Sequence, residues 1–214
     1  HKEEPFFLYL AHSMPHLPIS TSKKFIGKSK GGLYGDVIET IDWSMGEIFS
    51  RLKQSEIDDN TIVIFTSDNG PWHNLPERML QKGVERWHSG STGLLRGAKT
   101  TTYEGGVRVP AIIRWPDEIS EGQVSDEIVS TMDLFTTLIH IADAKIPDNR
   151  KIDGSNIYSL LKAENYVSQE MYFYLKGTTV QAVRKGKWKL RCTKALGYEL
   201  YNLETDPGEM YNRS

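Results

Sequence analysis

Thr61-Ile62-Val63-Ile64-Phe65-Thr66-Ser67-Asp68-Asn69-Gly70-Pro71 is the stretch on which the fold turns. Its first six residues are β-branched apart from one phenylalanine, the composition of a strand buried on both faces. Ser67 to Pro71 then ends the run with turn formers and a proline that cannot continue a ladder. Upstream, Asp58-Asp59-Asn60 turns the chain into the strand. Before that turn, Ile38, Ile41, Met45, Ile48 and Leu52 recur at three- and four-residue steps. This spacing predicts a helix over 34–54 with one apolar face. Asp42 shares that face with Ile38 and is expected on its half-exposed flank. Downstream, Ala111 to Trp115 reads as another strand. Ser130-Thr131-Met132-Asp133 reads as a capped helix start running to about residue 142. Alternating strands and helices predict an α/β fold with a mainly parallel sheet flanked by helices.

The two ends extend this reading differently. The short apolar run Phe6-Phe7-Leu8-Tyr9-Leu10 reads as a buried strand, in the parallel sense. A central strand so early predicts that preceding strands are missing, and neither a signal peptide nor an initiator methionine opens the chain. After Asp153-Gly154 the character changes. A short helix over 157–162 leads to apolar runs at 171–174, 179–184, 188–192 and 198–203, broken at Lys176-Gly177 and Lys185-Gly186. These runs lie too close together for helical crossovers, so an antiparallel meander is predicted. Residues 1–153 are therefore expected to form the α/β part and 154–214 a small antiparallel subdomain.

Bulk properties narrow the function classes. The chain has 214 residues, enough for one core with an appendage, and a formal net charge of −2. That charge offers no general attraction to nucleic acid or to an acidic membrane surface. No apolar run approaches the ~20 residues that span a bilayer. A single cysteine, Cys192, excludes an intrachain disulfide framework. Lying in the meander, it is expected to be a packing residue.

Ligands of open parallel sheets bind beyond the carboxyl ends of the strands. His16 follows the first predicted strand and Asp68-Asn69 the second, so both are expected at one rim, and Lys99 joins them if its loop folds back. Asp68 and Asn69 pair a carboxylate with an amide oxygen, as Ca²⁺ or Mg²⁺ requires; two ligands leave a shell of about six to eight oxygens incomplete. Taken alone, Asp68-Asn69-Gly70 favours a plain turn. His12 and His16 have helical spacing, but Pro15 and Pro18 make the segment a loop, so spacing implies no metal pair. A lone loop histidine reads as a surface residue, or as one that hydrogen-bonds an anion or a leaving oxygen. The run Gly93 to Pro110 surrounds Lys99 with glycines and threonines, which admit close approach to an oxyanion; a charged surface loop is the plainer reading. Trp72, His73, Trp87 and His88 decorate the long connection before it, suited equally to stacking on a ligand ring or to internal packing.

Taken in order, these pieces resemble the carboxyl-terminal half of a sulfatase, in the arylsulfatase A and N-acetylgalactosamine-6-sulfatase branch of the alkaline-phosphatase-like superfamily. Pro5 to Tyr9 with Pro15-His16-Leu17-Pro18 is similar to the family's histidine loop, and Tyr34-Gly35-Asp36 with Ile41-Asp42 to the helix after it. Phe65 to Gly70 resembles its metal strand and Gly93 to Pro110 its lysine loop. Asp133 to Thr137, Ile152-Asp153-Gly154 and Leu200 to Glu209 complete the set. The resemblance implies that Asp68 and Asn69 ligate Ca²⁺, with Mg²⁺ as the alternative, which neutralises sulfate oxygens. It implies that Lys99 holds another sulfate oxygen, and that His16 contacts the sulfate and protonates the leaving alcohol. Arg96 and Arg108 would support the loop or pair with acids such as Glu104.

One departure is large. The family's nucleophile is a formylglycine made within a Cys/Ser-x-Pro-x-Arg signature, and no such sequence occurs here; Cys192 is followed by Thr193-Lys194-Ala195-Leu196. The family's paired metal aspartates, first lysine and first histidine are also absent. The resemblance therefore implies a sulfatase portion inactive by itself, whose intact form hydrolyses sulfate esters of sugars, glycans or aryl alcohols. The alternatives are a related phosphate or phosphonate ester hydrolase and a non-catalytic binding protein. Family members are exported, periplasmic or lysosomal, but this chain carries no address.

Overall fold

A computed structural model describes residues 4–73, 75–82 and 84–214. Helix α1 (Gly32–Gln54) forms where the apolar period demands it, and Arg51 and Lys53 in its last turn suit the negative end of its dipole. Leu52 and Val37 are buried, while Asp42 is exposed, past the flank expected for it. The Asp36 carboxylate accepts the backbone N–H groups of Gly27 (2.7 Å), Lys28 (3.0 Å) and Ser29 (2.7 Å) and so fixes the loop ahead of the helix. A small core of Ile19, Val37 and Val84, with Met14, Leu17, Leu33, Tyr34 and Ile41 against it, seats that loop on α1.

Strand β1 (Val63–Thr66) pairs with β2 (Ala111–Arg114) from Val63↔Arg114 to Thr66↔Ala111, and the pairing is antiparallel. Every strand pairing among the described residues is antiparallel, so the mainly parallel sheet is not formed by them. The expectation for Phe6 to Leu10 is corrected outright. These residues form no strand, and Phe7, Leu8 and Tyr9 are 77%, 70% and 81% exposed. The run finds no strand among the described residues to exchange backbone hydrogen bonds with, and without a ladder an apolar run has no reason to lie flat and buried. For the same reason β1 is only half buried and its last two residues are exposed.

Between the two strands lie α2 (Glu104–Val107) and two single turns of 3-10 helix, Glu77–Met79 and Arg86–Ser89. Helix α3 (Thr131–Ile141) starts as predicted: the Asp133 carboxylate accepts the N–H (2.6 Å) and hydroxyl (3.0 Å) of Ser130. The same carboxylate accepts the Ser155 N–H at 2.7 Å, joining α3 to the segment that leads into α4 (Tyr158–Leu161).

The meander forms as expected. Strands β3 (Tyr172–Lys176), β4 (Thr179–Lys185), β5 (Trp188–Thr193) and β6 (Gly197–Asn202) pair in chain order. Gly177 and Gly186 sit at φ of 60° and 54°, as tight hairpin turns require. The polarity of the two faces is the surprise. Lys189, Arg191, Glu199 and Tyr201 point inward and are buried, whereas Phe173, Leu190 and Cys192 point outward and are exposed. Cys192 is thus not a packing residue: strand alternation puts it on the face opposite Arg191.

Candidate functional site

The turn that ends β1 and the glycine-rich run ahead of β2 meet directly. The Gly70 N–H donates to the Gly106 carbonyl at 3.1 Å, and the Lys99 N–H donates to the Pro71 carbonyl at 2.9 Å. Glycine is required at this crossing, because a Cβ on Gly70 would fall inside the carbonyl oxygen of Gly105. Antiparallel pairing of β1 with β2 brings both segments to the same end of the two strands. Asp68, Asn69 and Lys99 are therefore gathered by backbone contacts from residues 30 positions apart.

The Asn69 amide nitrogen donates to the Gly70 carbonyl at 3.0 Å, which turns its oxygen away from that contact and leaves it open as an acceptor. Asp68 is exposed and Lys99 half buried, and neither side chain engages a hydrogen bond or ion pair among the described residues. A carboxylate beside a free amide oxygen suits a hard cation. No group of three or more His, Cys, Asp or Glu residues able to hold a metal exists among the described residues. Asp68 and Asn69 fit a divalent cation as part of its shell, not as the whole of it.

The lysine loop owes its shape to local bonds. The Ala98 carbonyl accepts the Thr101 N–H (3.0 Å) and the Thr101 hydroxyl (2.8 Å), closing a turn with Lys99 and Thr100 at its tip. Thr100 has a φ of 77°, unusual for a β-branched residue and a mark of a constrained tip. Arg96 stands behind the loop. Its guanidinium donates to the Tyr201 hydroxyl (3.0 Å) and the Glu209 carbonyl (2.9 Å) and lies 4.3 Å over the Tyr103 ring. Arg96 thus supports the loop, and Glu104 takes Lys189 (2.8 Å) and Arg184 (3.6 Å) as its ionic partners, neither of the arginines expected for it. Arg108 is exposed.

His16 belongs to the proline-rich loop ahead of α1. It is exposed, between Pro15 and Pro18, and no hydrogen bond or ion pair among the described residues connects it to Asp68, Asn69 or Lys99. Its Nδ1 lies 2.7 Å from the Leu17 carbonyl, which can only accept, so Nδ1 carries the proton and Nε2 faces outward. In the long connection, Trp87 is 67% exposed and His88 is buried, its Nδ1 accepting the Glu85 N–H at 2.9 Å. His88 is a structural residue. Sequence reasoning missed the buried ionic roles of Lys189, Arg191 and Glu199, whose only signal is alternation of charge within β5 and β6, and of Glu209, which follows β6 and carries no such signal.

Comparison with known proteins agrees on one family. Residues 1–144 match the sulfatase family model, and residues 97–214 match the model described as N-sulphoglucosamine sulphohydrolase, C-terminal. N-acetylgalactosamine-6-sulfatase of Rattus norvegicus is 41% identical over 188 residues, covering 88% of this chain and 34% of that protein. N-acetylgalactosamine-6-O-sulfatase of Bacteroides thetaiotaomicron is 34% identical over 228 residues, covering 99% and 44%. Human steryl-sulfatase is 40% identical over 183 residues, covering 85% and 30%. A solved Bacteroides thetaiotaomicron structure described for metabolism of glycosaminoglycans superposes with a TM-score of 0.85 at 33% identity, covering 99% of this chain and 47% of that one. The chain spans less than half the length of each of these relatives.

Proposed function

Because the chain belongs to the sulfatase family, whose members are sulfuric ester hydrolases, we propose that it supplies one wall of a sulfate-ester pocket. The observation that carries this reading is the docking of the Lys99 loop on the Asp68–Pro71 turn through two backbone hydrogen bonds, 2.9 and 3.1 Å long. It brings the backbone of the lysine loop onto the turn that carries Asp68 and Asn69, which supports a lysine and a candidate cation site acting on one oxyanion with several charged oxygens. Residues 1–153 form the catalytic portion, and 154–214 a subdomain behind the loop.

In the intact enzyme Asp68 and Asn69 would hold part of the shell of a divalent cation, Ca²⁺ as the family resemblance implies or Mg²⁺, since both donors are oxygens. When bound, that ion withdraws charge from the sulfate oxygens. Lys99 stabilises the sulfate oxygens through a compact charge carried on a constrained turn, which costs little reorganisation as the reaction proceeds. His16, with Nδ1–H committed to Leu17, presents Nε2. As the imidazolium it donates the Nε2 proton to the leaving alcohol oxygen. The formylglycine nucleophile implied by the family belongs to residues this chain does not contain. Sulfated sugars are the favoured substrates, since relatives of the chain are named for sulfated N-acetylgalactosamine.

The test is turnover of a sulfated N-acetylgalactosamine and of an aryl sulfate, by the 214-residue chain and by a longer protein that completes the pocket. The chain alone is expected to show none and the longer protein to turn over. Lys99→Ala in the latter is expected to lower kcat/KM by about 10²–10³. A Lys99→Ala enzyme with wild-type turnover would remove Lys99 from the site, and turnover by the isolated chain would overturn the assignment of one wall.

A further inference from the structure

The lysine loop is held at two ends. One is the backbone junction with Gly70 and Pro71; the other is ionic and buried. Lys189 on β5 is 0% exposed, its ammonium 2.8 Å from Glu104 Oε1 and 3.0 Å from Glu209 Oε1. It also lies 4.8 Å from the centre of the Tyr174 ring, and Arg184 approaches Glu104 Oε2 at 3.6 Å. The second Glu209 oxygen, Oε2, accepts the Glu104 backbone N–H at 2.6 Å. Glu209 does this from a φ of 53°, a conformation an L side chain adopts only when its surroundings impose it.

Such a cluster is a poor device for stability. An apolar set of the same volume would hold the sheet to the loop at least as well, because burying three charges forfeits their hydration. What charge adds is a defined location. Glu104 belongs to the loop, Glu209 to the chain after β6, and Lys189 to the sheet, so one ammonium fixes three segments to a point. From Glu104 the constraint passes along two bonds. The Gly105 N–H donates to the Arg96 carbonyl (2.7 Å), and the Gly106 carbonyl accepts the Gly70 N–H (3.1 Å). Arg96 and Gly70 are the residues through which the lysine turn enters and docks.

We propose that Lys189, Glu104 and Glu209 are positioning residues for Lys99: the buried ionic cluster of the carboxyl-terminal sheet sets where the lysine turn sits against the Asp68–Pro71 turn. This rests on the reading of Lys99 as the residue that holds the sulfate, and it gives the carboxyl-terminal subdomain a part in catalysis without contact with substrate. The charge network extends the same platform, since Arg191 lies 3.3 Å over the Tyr103 ring and Tyr103 and Tyr201 both donate to Glu199, at 2.8 and 2.7 Å.

The Lys99 amide reports the docking, because its proton is in the bond to Pro71, and hydrogen exchange at Lys99 and Gly70 can be followed in the 214-residue chain itself. Lys189→Met leaves two buried carboxylates facing each other. It is expected to speed exchange at both amides by about tenfold or more while amides within β3 and β4 change little. Adding Glu104→Gln removes one of those charges and is expected to restore most of the protection. Where Lys189→Met does not fold, Glu209→Gln keeps shape and an acceptor for the Glu104 N–H, and is expected to loosen the same two amides alone. Unchanged protection at Lys99 in folded variants, or a loss shared equally by the whole sheet, would overturn the proposal. In the longer, active protein the variants are expected to lower kcat with little change in KM. Because amide exchange needs no turnover, an inactive protein whose loop responds to Lys189 would refute the sulfatase reading alone. An active one whose loop and kcat ignore Lys189 would refute positioning alone.

Discussion

At the level of single residues, the closest approach in the candidate site lies at Gly70, where the turn after β1 touches the backbone of Gly105 and Gly106. Gly70→Ala puts a methyl into the Gly105 carbonyl, so the two segments must separate. Overpacking of this kind costs about 1–3 kcal/mol. The expected outcome is a lower thermal midpoint together with loss of the Gly70–Gly106 and Lys99–Pro71 hydrogen bonds, read as amide exchange. An unchanged midpoint would show that the junction yields freely. His16 makes a different prediction. A proton donor matters most when the leaving oxygen is basic, so in the longer, active protein His16→Ala should slow hydrolysis of a sugar sulfate by about 10²–10⁴. An aryl sulfate, whose phenolate leaves more readily, should lose clearly less. Equal losses on both substrates would argue that His16 binds sulfate and transfers no proton.

Elements differ in how visibly the sequence announced them. Helix α1 was legible because its apolar period is local, and β3 to β6 because Lys176-Gly177 and Lys185-Gly186 mark hairpins within a few residues. Strand β1 was legible as a strand, but its partner and direction were not, since pairing is decided by residues 45 or more positions away. Phe6 to Leu10 has strand composition without a ladder, and composition cannot supply one. In the site, strand ends alone suggested one rim for His16 and Asp68-Asn69, whereas the contact of the Lys99 loop with the Asp68–Pro71 turn depended on a fold-back that no local signal announces. The support from Lys189 and Glu209 was not legible either, because a lysine 85 residues after its glutamate carries no local signature.

Titration separates these elements as well. Asp58 is held below the usual carboxylate range by Arg114, which joins the end of α1 to β2, and Asp36 by the backbone N–H groups of Ser29, Gly27 and Lys28. A lowered folded value means stability is present above the unfolded value of 3.8 and is lost as pH falls through the folded one. Tyrosines give the opposite limb. Burial pushes Tyr174, which faces the Lys189 cluster, up to about 12, and raises Tyr103 and Tyr201 beside Glu199. A raised folded value means stability is present below the unfolded value of 10.0 and falls as pH rises from there towards 12. Acid should therefore loosen the loop before α1 and the α1–β2 link first, and alkali the inner face of the four-stranded sheet. Residue-resolved amide protection at the two extremes checks this, and a single uniform transition in both would refute it.

At the scale of the whole molecule, two of the exposed apolar stretches among the described residues bear on association. One is the run Phe7, Leu8 and Tyr9, each at least 70% exposed. The other is the outer face of the four-stranded sheet, where Phe173, Val183, Leu190 and Leu200 are successive cross-strand partners and form one apolar row. Phe173 is 59% exposed and Leu190 37%. Contiguous patches of this kind are uncommon on monomers that remain dispersed in water, because each gains free energy when covered. The inner face of the same sheet, charged but fully partnered, fixes its orientation on the lysine loop, so the apolar row cannot turn inward to escape solvent. The 214-residue chain is accordingly expected to bind a hydrophobic dye and to self-associate with rising concentration, measured by sedimentation. Phe173→Lys with Leu190→Lys should weaken that association. The hydrogen exchange of Lys99 should stay unchanged, since both side chains lie on the face away from the loop. A chain that stays monomeric, or a double variant that loosens the Lys99 turn, would show that the two faces of this sheet are not independent.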